Sequence, residues 1–259
     1  MELSKNSLNS SSKSLEGLSA IVFDFDGTIA DSFPIFLACF TEQITESKKK
    51  KSIVVTKDDI ERLTKEVFKT EIEAKNERKN PKILLLRIFY STCRKMGYGR
   101  YSSLFASLAS AYKVNKQYEN IEIFSEVKQF LEELKNHNVK RILVTHSSKK
   151  KVERILHKNG LLEYFDIILD KNDIGSSNKA EGIRQALNKL GIEAKNTMAV
   201  GDLPADILDA RAAGVTAVAT TTGMVDKTMF SSVNPDLVID SLAELHVFLK
   251  EEAENEENQ

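Results

Sequence analysis

The chain has 259 residues, 41% of them hydrophobic and 29% charged, with a formal net charge of −1. That length holds one large or two modest domains with a sizeable core, and the balance is that of a soluble globular protein, not a fibrous or disordered one. Near-neutrality gives no reason to expect nucleic acid or an anionic membrane surface as partner, and no apolar run approaches the length that spans a bilayer.

Residues 1–17 are rich in Ser, Asn and Lys, lack the apolar core of a signal peptide and are expected to form a disordered tail. The two cysteines, Cys39 and Cys93, are expected to stay reduced and packed, which fits a cytoplasmic protein. Ala20-Ile21-Val22-Phe23 reads as a buried parallel strand, and Asp24-Phe25-Asp26-Gly27-Thr28 follows it directly. Side chains two apart on a strand share a face, so Asp24 and Asp26 address one small volume. Gly27 lets the chain turn away without a Cβ in the mouth of that volume. Two carboxylates so placed imply a hard cation between them or a division into nucleophile and acid/base. A calcium loop is a poor alternative, because its first and twelfth positions would be Val22 and Phe33, which cannot ligate. A plain acidic turn stays open on this motif alone.

Residues 34–118 contain no comparable strand run and read as helices near 33–46, 57–73, 81–96 and 101–114. Thr56 can cap the second and Pro81 suits the first turn of the third. So long a helical insertion reads as a second domain. Lys48-Lys49-Lys50-Lys51 reads as a solvated loop within it.

Beyond residue 120, five continuously apolar runs at 141–145, 166–169, 197–200, 215–219 and 236–239 read as parallel strands covered on both faces. Helices near 125–138, 148–159, 178–190 and 204–213 alternate with them, the last three stopping at Gly160, Gly191 and Gly214. A final helix over 242–250 opens with a Ser241–Glu244 capping box, and 251–259 reads as a disordered acidic tail. The alternation predicts an open α/β sheet with right-handed crossovers.

Three more polar sites fall where these strands should end, the place where open α/β sheets bind ligands. Thr145 closes a strand and leads through His146-Ser147-Ser148 into a helix, a phosphate cradle or simply a helix cap. Lys179 opens another helix, where its charge opposes the helix dipole, so either a local anion compensates it or it is solvated. Asp202 and Asp206 follow a third strand four residues apart, and share one face of a helical first turn if the helix begins at Pro204; capping by Asp202 is the alternative.

In order, spacing and strand context, these four sites resemble the haloacid dehalogenase superfamily of phosphohydrolases. The resemblance covers about 18–35 and 120–250, and the insertion is similar to the α-helical cap of the phosphoglycolate phosphatase and β-phosphoglucomutase subgroup. It implies an α/β fold: a Rossmann-like doubly wound parallel sheet over 18–33 and 119–250, with an all-helical cap over 34–118. It implies Asp24 as nucleophile, Asp26 as acid and then base, and Lys179 as the neutralising cation. Thr145, with His146, Gly27 and Thr28, would contact substrate. Asp24, Asp202, Asp206 and the backbone carbonyl of Asp26 would hold Mg²⁺. The implied reaction is hydrolysis of a small phosphorylated metabolite through an aspartyl phosphate. A phosphomutase is the alternative on the same scaffold, and a receiver domain or a silent binding module are rivals of other classes. Four converging carboxylates with one lysine need a hard divalent cation before they can accept a phosphate dianion. Two departures from many relatives stand out: His146 replaces an Asn, and Ala180 follows the lysine where Pro is common. Arg78, Lys79, Arg87 and Arg94 are cations available to the cap, while substrate identity and oligomeric state stay open.

Overall fold

The computed structural model describes residues 15, 17–48, 56–73, 81–174 and 178–257. The chain divides into two units, one built from residues 1–31 and 122–259 and the other from Ser32–Ile121.

The first unit is a six-stranded parallel sheet flanked by helices. Its strands are β1 (Ala20–Phe23), β4 (Lys140–Thr145), β5 (Ile167–Asp170), β6 (Thr197–Gly201), β7 (Thr216–Thr220) and β8 (Leu237–Ile239). Two short strands, β2 (Ala30–Asp31) and β3 (Glu122–Ile123), pair antiparallel at the two ends of the insertion. The sheet order is β5-β4-β1-β6-β7-β8. Val22 lies opposite Ile142 on one side and Ala199 on the other, so β1 is central, and all four of its residues are buried. The chain winds outward from β1 in both directions, which opens a crevice at the carboxyl ends of β1, β4 and β6. The expected strands lie within about a residue of those observed, because a run such as Ile142-Leu143-Val144 loses the most water-exposed apolar area when covered on both faces.

Helices α5 (Val127–Asn136) and α10 (Leu242–Glu257) pack together, as do α8 (Lys179–Leu190) and α9 (Pro204–Ala213) on the opposite face; α6 (Lys149–Lys158) links β4 to β5. Phe23 anchors the core, edge-on to Phe130 at 6.1 Å and to Phe165 at 6.4 Å between ring centroids. A single turn, α7 (Lys171–Ile174), was not anticipated from its four residues.

Both expected tails need correction. Leu15 is only 2% exposed, so the segment read as a disordered tail through residue 17 includes a packed side chain; residues 1–14 lie outside the described set. The last helix was expected to end at Lys250, but α10 runs to Glu257. The stretch Glu251-Glu252-Ala253-Glu254 contains strong helix formers and no Gly or Pro, so nothing stops propagation there.

The second unit is all helical among the described residues: α1 (Phe33–Lys48), α2 (Lys57–Glu73), α3 (Pro81–Lys95) and α4 (Arg100–Gln117), followed by a short 3₁₀ turn. Thr56 Oγ1 accepts from Asp59 N at 3.1 Å while the Asp59 carboxylate returns to Thr56 N at 3.1 Å, a reciprocal cap on α2. Phe40 and Phe89 stack at 4.5 Å in a core that includes Ile44, Ile60 and both cysteines. The cysteines are free thiols, and burial pushes Cys93 up to about 12. Of the four cations expected to be available, Arg87 pairs with Glu71 at 3.1 Å and Arg94 donates to the Tyr98 carbonyl. Arg78, Lys79 and Lys49–Lys51 lie outside the described residues.

Candidate active site

Asp24 is the first residue past β1. Its amide still donates to Val200 O at 3.0 Å, so the sheet register fixes where the carboxylate emerges. Asp24 Oδ1 accepts from Phe25 N at 2.7 Å and from Lys179 Nζ at 2.7 Å; Oδ2 carries neither bond. Beyond it the chain winds into one tight turn, with Phe25 O accepting from Ile29 N at 3.0 Å and Ala30 N at 2.9 Å. Gly27 has φ +79°, and a Cβ there would lie 2.2 Å from Asp202 Oδ2, so both backbone and space demand glycine.

Asp26 is reached from another strand end: Ser147 Oγ donates to Asp26 Oδ2 at 2.5 Å. The same loop holds Thr145, buried at the end of β4, whose Oγ1 accepts from Ser147 N at 3.0 Å. The capping alternative for the serines does not describe this loop. Ser148 precedes α6 without a side-chain cap, and it is Asp170 Oδ2, at the end of β5, that takes Lys149 N at 3.0 Å. His146 is half-buried between these sites, and burial, with Lys179 nearby, lowers it to about 4. Thr28 is 0% exposed and its hydroxyl has no hydrogen bond, which sets it beneath the site surface in contrast to its expected contact with substrate.

Lys179 is buried at the start of α8. Asn178 Oδ1 caps that helix through Ala180 N at 2.8 Å, and the Lys179 amide goes to Asp209 Oδ2 at 3.0 Å. The ammonium bridges Asp24 Oδ1 and Asp206 Oδ1, both at 2.7 Å. Burial alone would lower this amine; Asp206 and Asp24 together hold it above its ordinary range. The dipole-opposing lysine of the sequence is thus compensated by carboxylates, not by water.

Asp202 and Asp206 come from the turn after β6. Asp206 Oδ2 accepts from Leu203 N at 3.0 Å, so the helix-capping duty falls to Asp206, not to Asp202. Asp202 sits between Gly27 and Gly223, where a Cβ on Gly223 would approach Asp202 Oδ2 to 2.0 Å. Its Oδ1 is buried without a hydrogen-bond partner. Burial, reinforced by Asp206 and Asp24, pushes the Asp202 carboxyl well above its usual range, and burial likewise raises Asp24 to about 7 against the pull of Lys179. Asp24, Asp202 and Asp206 each offer an oxygen within 4.8 Å of the others, a group of three found nowhere else among the described residues. The donors are all carboxylates, which suit hard divalent cations, and Asp202 Oδ1 is an acceptor with no donor, so the residues fit a metal.

Sequence reasoning brought Asp24, Asp26, Thr145, Lys179, Asp202 and Asp206 to this place. It missed Asp170, Asp209 and Gly223, which hold the machinery from behind; each contact spans tens of residues along the chain and has no local signature.

The model of the haloacid dehalogenase-like hydrolase family matches residues 21–220. The chain is similar to a phosphoglycolate phosphatase of Neisseria gonorrhoeae, 26% identical over 94% of this chain and 98% of the relative. It is also similar to the pyrophosphatase PpaX of Oceanobacillus iheyensis, 26% identical over 50% of this chain and 62% of the relative. Among solved structures, a phosphoglycolate phosphatase predicted in Haemophilus somnus superposes with a TM-score of 0.66 at 19% identity, covering 89% of this chain and 97% of that one. The HAD-hydrolase YfnB of Bacillus subtilis, bound to magnesium, superposes with a TM-score of 0.63 at 18% identity, covering 90% and 98%. The sheet order, the helical insertion and the matched span together place this chain in the haloacid dehalogenase-like hydrolase family.

Proposed function

We propose that this chain is a Mg²⁺-dependent phosphatase acting on a small phosphate monoester, with Asp24 as nucleophile. The observation that carries the reading is the pairing of a buried lysine with two carboxylates beside a third whose oxygen has no donor: Lys179 with Asp24 and Asp206, next to Asp202. When bound, Mg²⁺ would neutralise the carboxylates and the phosphoryl oxygens, held by Asp24, Asp202, Asp206 and the backbone carbonyl of Asp26.

Within this reading, Asp24 Oδ2 attacks phosphorus while Oδ1 stays fixed by Phe25 N and Lys179. An oxygen–phosphorus bond forms to Asp24 as the ester oxygen leaves, and Asp26 gives that oxygen a proton. Asp26 then takes a proton from the water that attacks the aspartyl phosphate, which releases inorganic phosphate and restores Asp24. Thr145 Oγ1 is already an acceptor for Ser147 N, so its own hydrogen is left for a phosphate oxygen. Little covalent work falls to the protein in so loose a transfer; in-line placement and charge neutralisation supply most of the acceleration.

Phosphoglycolate is the first substrate to test, because the relative aligned along nearly the whole chain carries that name; pyrophosphate is second. Phosphate release from a panel of esters would be measured with Mg²⁺ and with excess EDTA, and the trapped phosphoryl group mapped by mass spectrometry. Turnover that survives EDTA, or phosphate mapped to a residue other than Asp24, would overturn the reading.

A further inference from the structure

Helix α4 is amphipathic in the wrong sense for a helix of a lone protein. Its inward face is Ser103, Ala106, Ser107, Ser110 and Val114, all buried. The serines 107 and 110 turn back on their own helix, donating to Ser103 O at 2.6 Å and Ala106 O at 2.8 Å. Its outward face is Tyr101, Leu104, Phe105, Leu108 and Tyr112. Tyr101 is 90% exposed, Phe105 and Tyr112 are each 69% exposed, and both leucines are more than half exposed. At 3.6 residues per turn these five side chains fall within an arc of about 100° and run along roughly 16 Å of helix.

We infer that this face is a dimer interface, and that its occupant is the same face of a second copy of the chain. Area is the first reason. Three largely exposed aromatics and two leucines present on the order of 700 Å² of surface, above the few hundred Å² of apolar patch that monomers show and close to the ~800 Å² per partner of a stable interface. Charge is the second. A two-fold axis sets like residues against like, so a charged patch repels its own copy. The arc holds no Asp, Glu, Lys or Arg: Lys113 lies outside it, bound to Glu42 at 3.0 Å and Glu46 at 2.7 Å. Arg100 and Lys116 stand at opposite ends of the helix, where a crossing near 50° splays them apart. Composition is the third: exposed Tyr and Phe in an arc that itself holds no charged residue is the make-up of an interface centre. The small residues of the inner face let α4 sit close on its own unit, which leaves the large side chains to the partner.

The test is the mass of the full chain in solution, by light scattering after size exclusion, from about 1 to 100 µM. Wild type is expected at twice 29.1 kDa at the upper concentrations, and the double variant Phe105→Lys/Leu108→Lys at 29.1 kDa with an unchanged circular-dichroism melting curve. Should that variant fail to fold, Tyr101→Lys/Tyr112→Lys, at the most exposed positions, gives the same reading. A wild type that stays monomeric at 100 µM overturns the proposal, as does a folded variant that remains dimeric. Monomeric wild type that sediments with vesicles of phosphatidylcholine and phosphatidylserine would instead assign the face to a membrane surface.

Discussion

Replacing the proposed nucleophile should make the protein more stable while it abolishes turnover. Asp24 has its carboxyl raised from the ordinary 3.8 to about 7, by burial first and by Asp206 and Asp26 as well, even with Lys179 opposing. A carboxyl with a folded value above its unfolded one binds more protons when folded, so between those two pH values stability falls as pH rises. At alkaline pH the strain of keeping Asp24 ionised is, at most, on the order of 4 kcal/mol, from the gap between 3.8 and about 7. Asp24→Asn keeps the shape and removes the charge. In EDTA the variant should therefore match wild type near pH 4 and exceed it progressively to pH 8. At about 2–4 °C per kcal/mol for a chain of this size, the gain at pH 8 reaches several degrees and at most roughly 15 °C. Saturating Mg²⁺ should shrink the difference, because the cation relieves the same repulsion in wild type. Thermal melts at half-unit pH steps, with EDTA and with Mg²⁺, measure all of this. A variant less stable than wild type at pH 8 in EDTA, or a difference independent of pH, would refute the reasoning.

Asp202→Asn should lower turnover by at least about 10³-fold and weaken Mg²⁺ binding measured by calorimetry, since it neutralises a carboxylate whose Oδ1 has no other partner. Gly223→Ala should do much the same at a distance: its Cβ would come within 2.0 Å of Asp202 Oδ2 and must displace that carboxylate, so unchanged Mg²⁺ affinity would contradict the cradle. Ser147→Ala removes the hydrogen bond to Asp26 and should slow alkyl phosphates about tenfold, with p-nitrophenyl phosphate affected less because its leaving group needs little protonation; equal effects on both would separate Ser147 from proton transfer. His146→Asn should remove a loss of stability that wild type suffers as pH falls from 6.5 to about 4, where the unfolded imidazole charges and the buried one does not. Chemical denaturation of the two proteins at pH 7 and pH 4.5 reads that difference, and a constant offset would refute it.

The sequence by itself determined everything governed by short spacing along the chain. Continuous apolar runs such as Ile21-Val22-Phe23 and Met198-Ala199-Val200 can be covered only inside a parallel sheet, and the polar residues after them must then emerge at one edge. That is why Asp24, Thr145 and Asp202 were legible as a site before any coordinate, and why helix starts at Thr56 and Pro81 were too. Tertiary structure decided what sheet register and packing bring together. Ser147 meets Asp26 across 121 positions, Asp209 takes the amide of Lys179 across 30, and Asp170 starts α6 from a neighbouring strand. Which face of α4 lies inward was also beyond periodicity: hydrophobicity alone would bury Tyr101, Phe105 and Tyr112, yet Ser103, Ser107 and Ser110 are inside. Small residues allow close helix approach, and close approach depends on the neighbouring helices, information no local window contains.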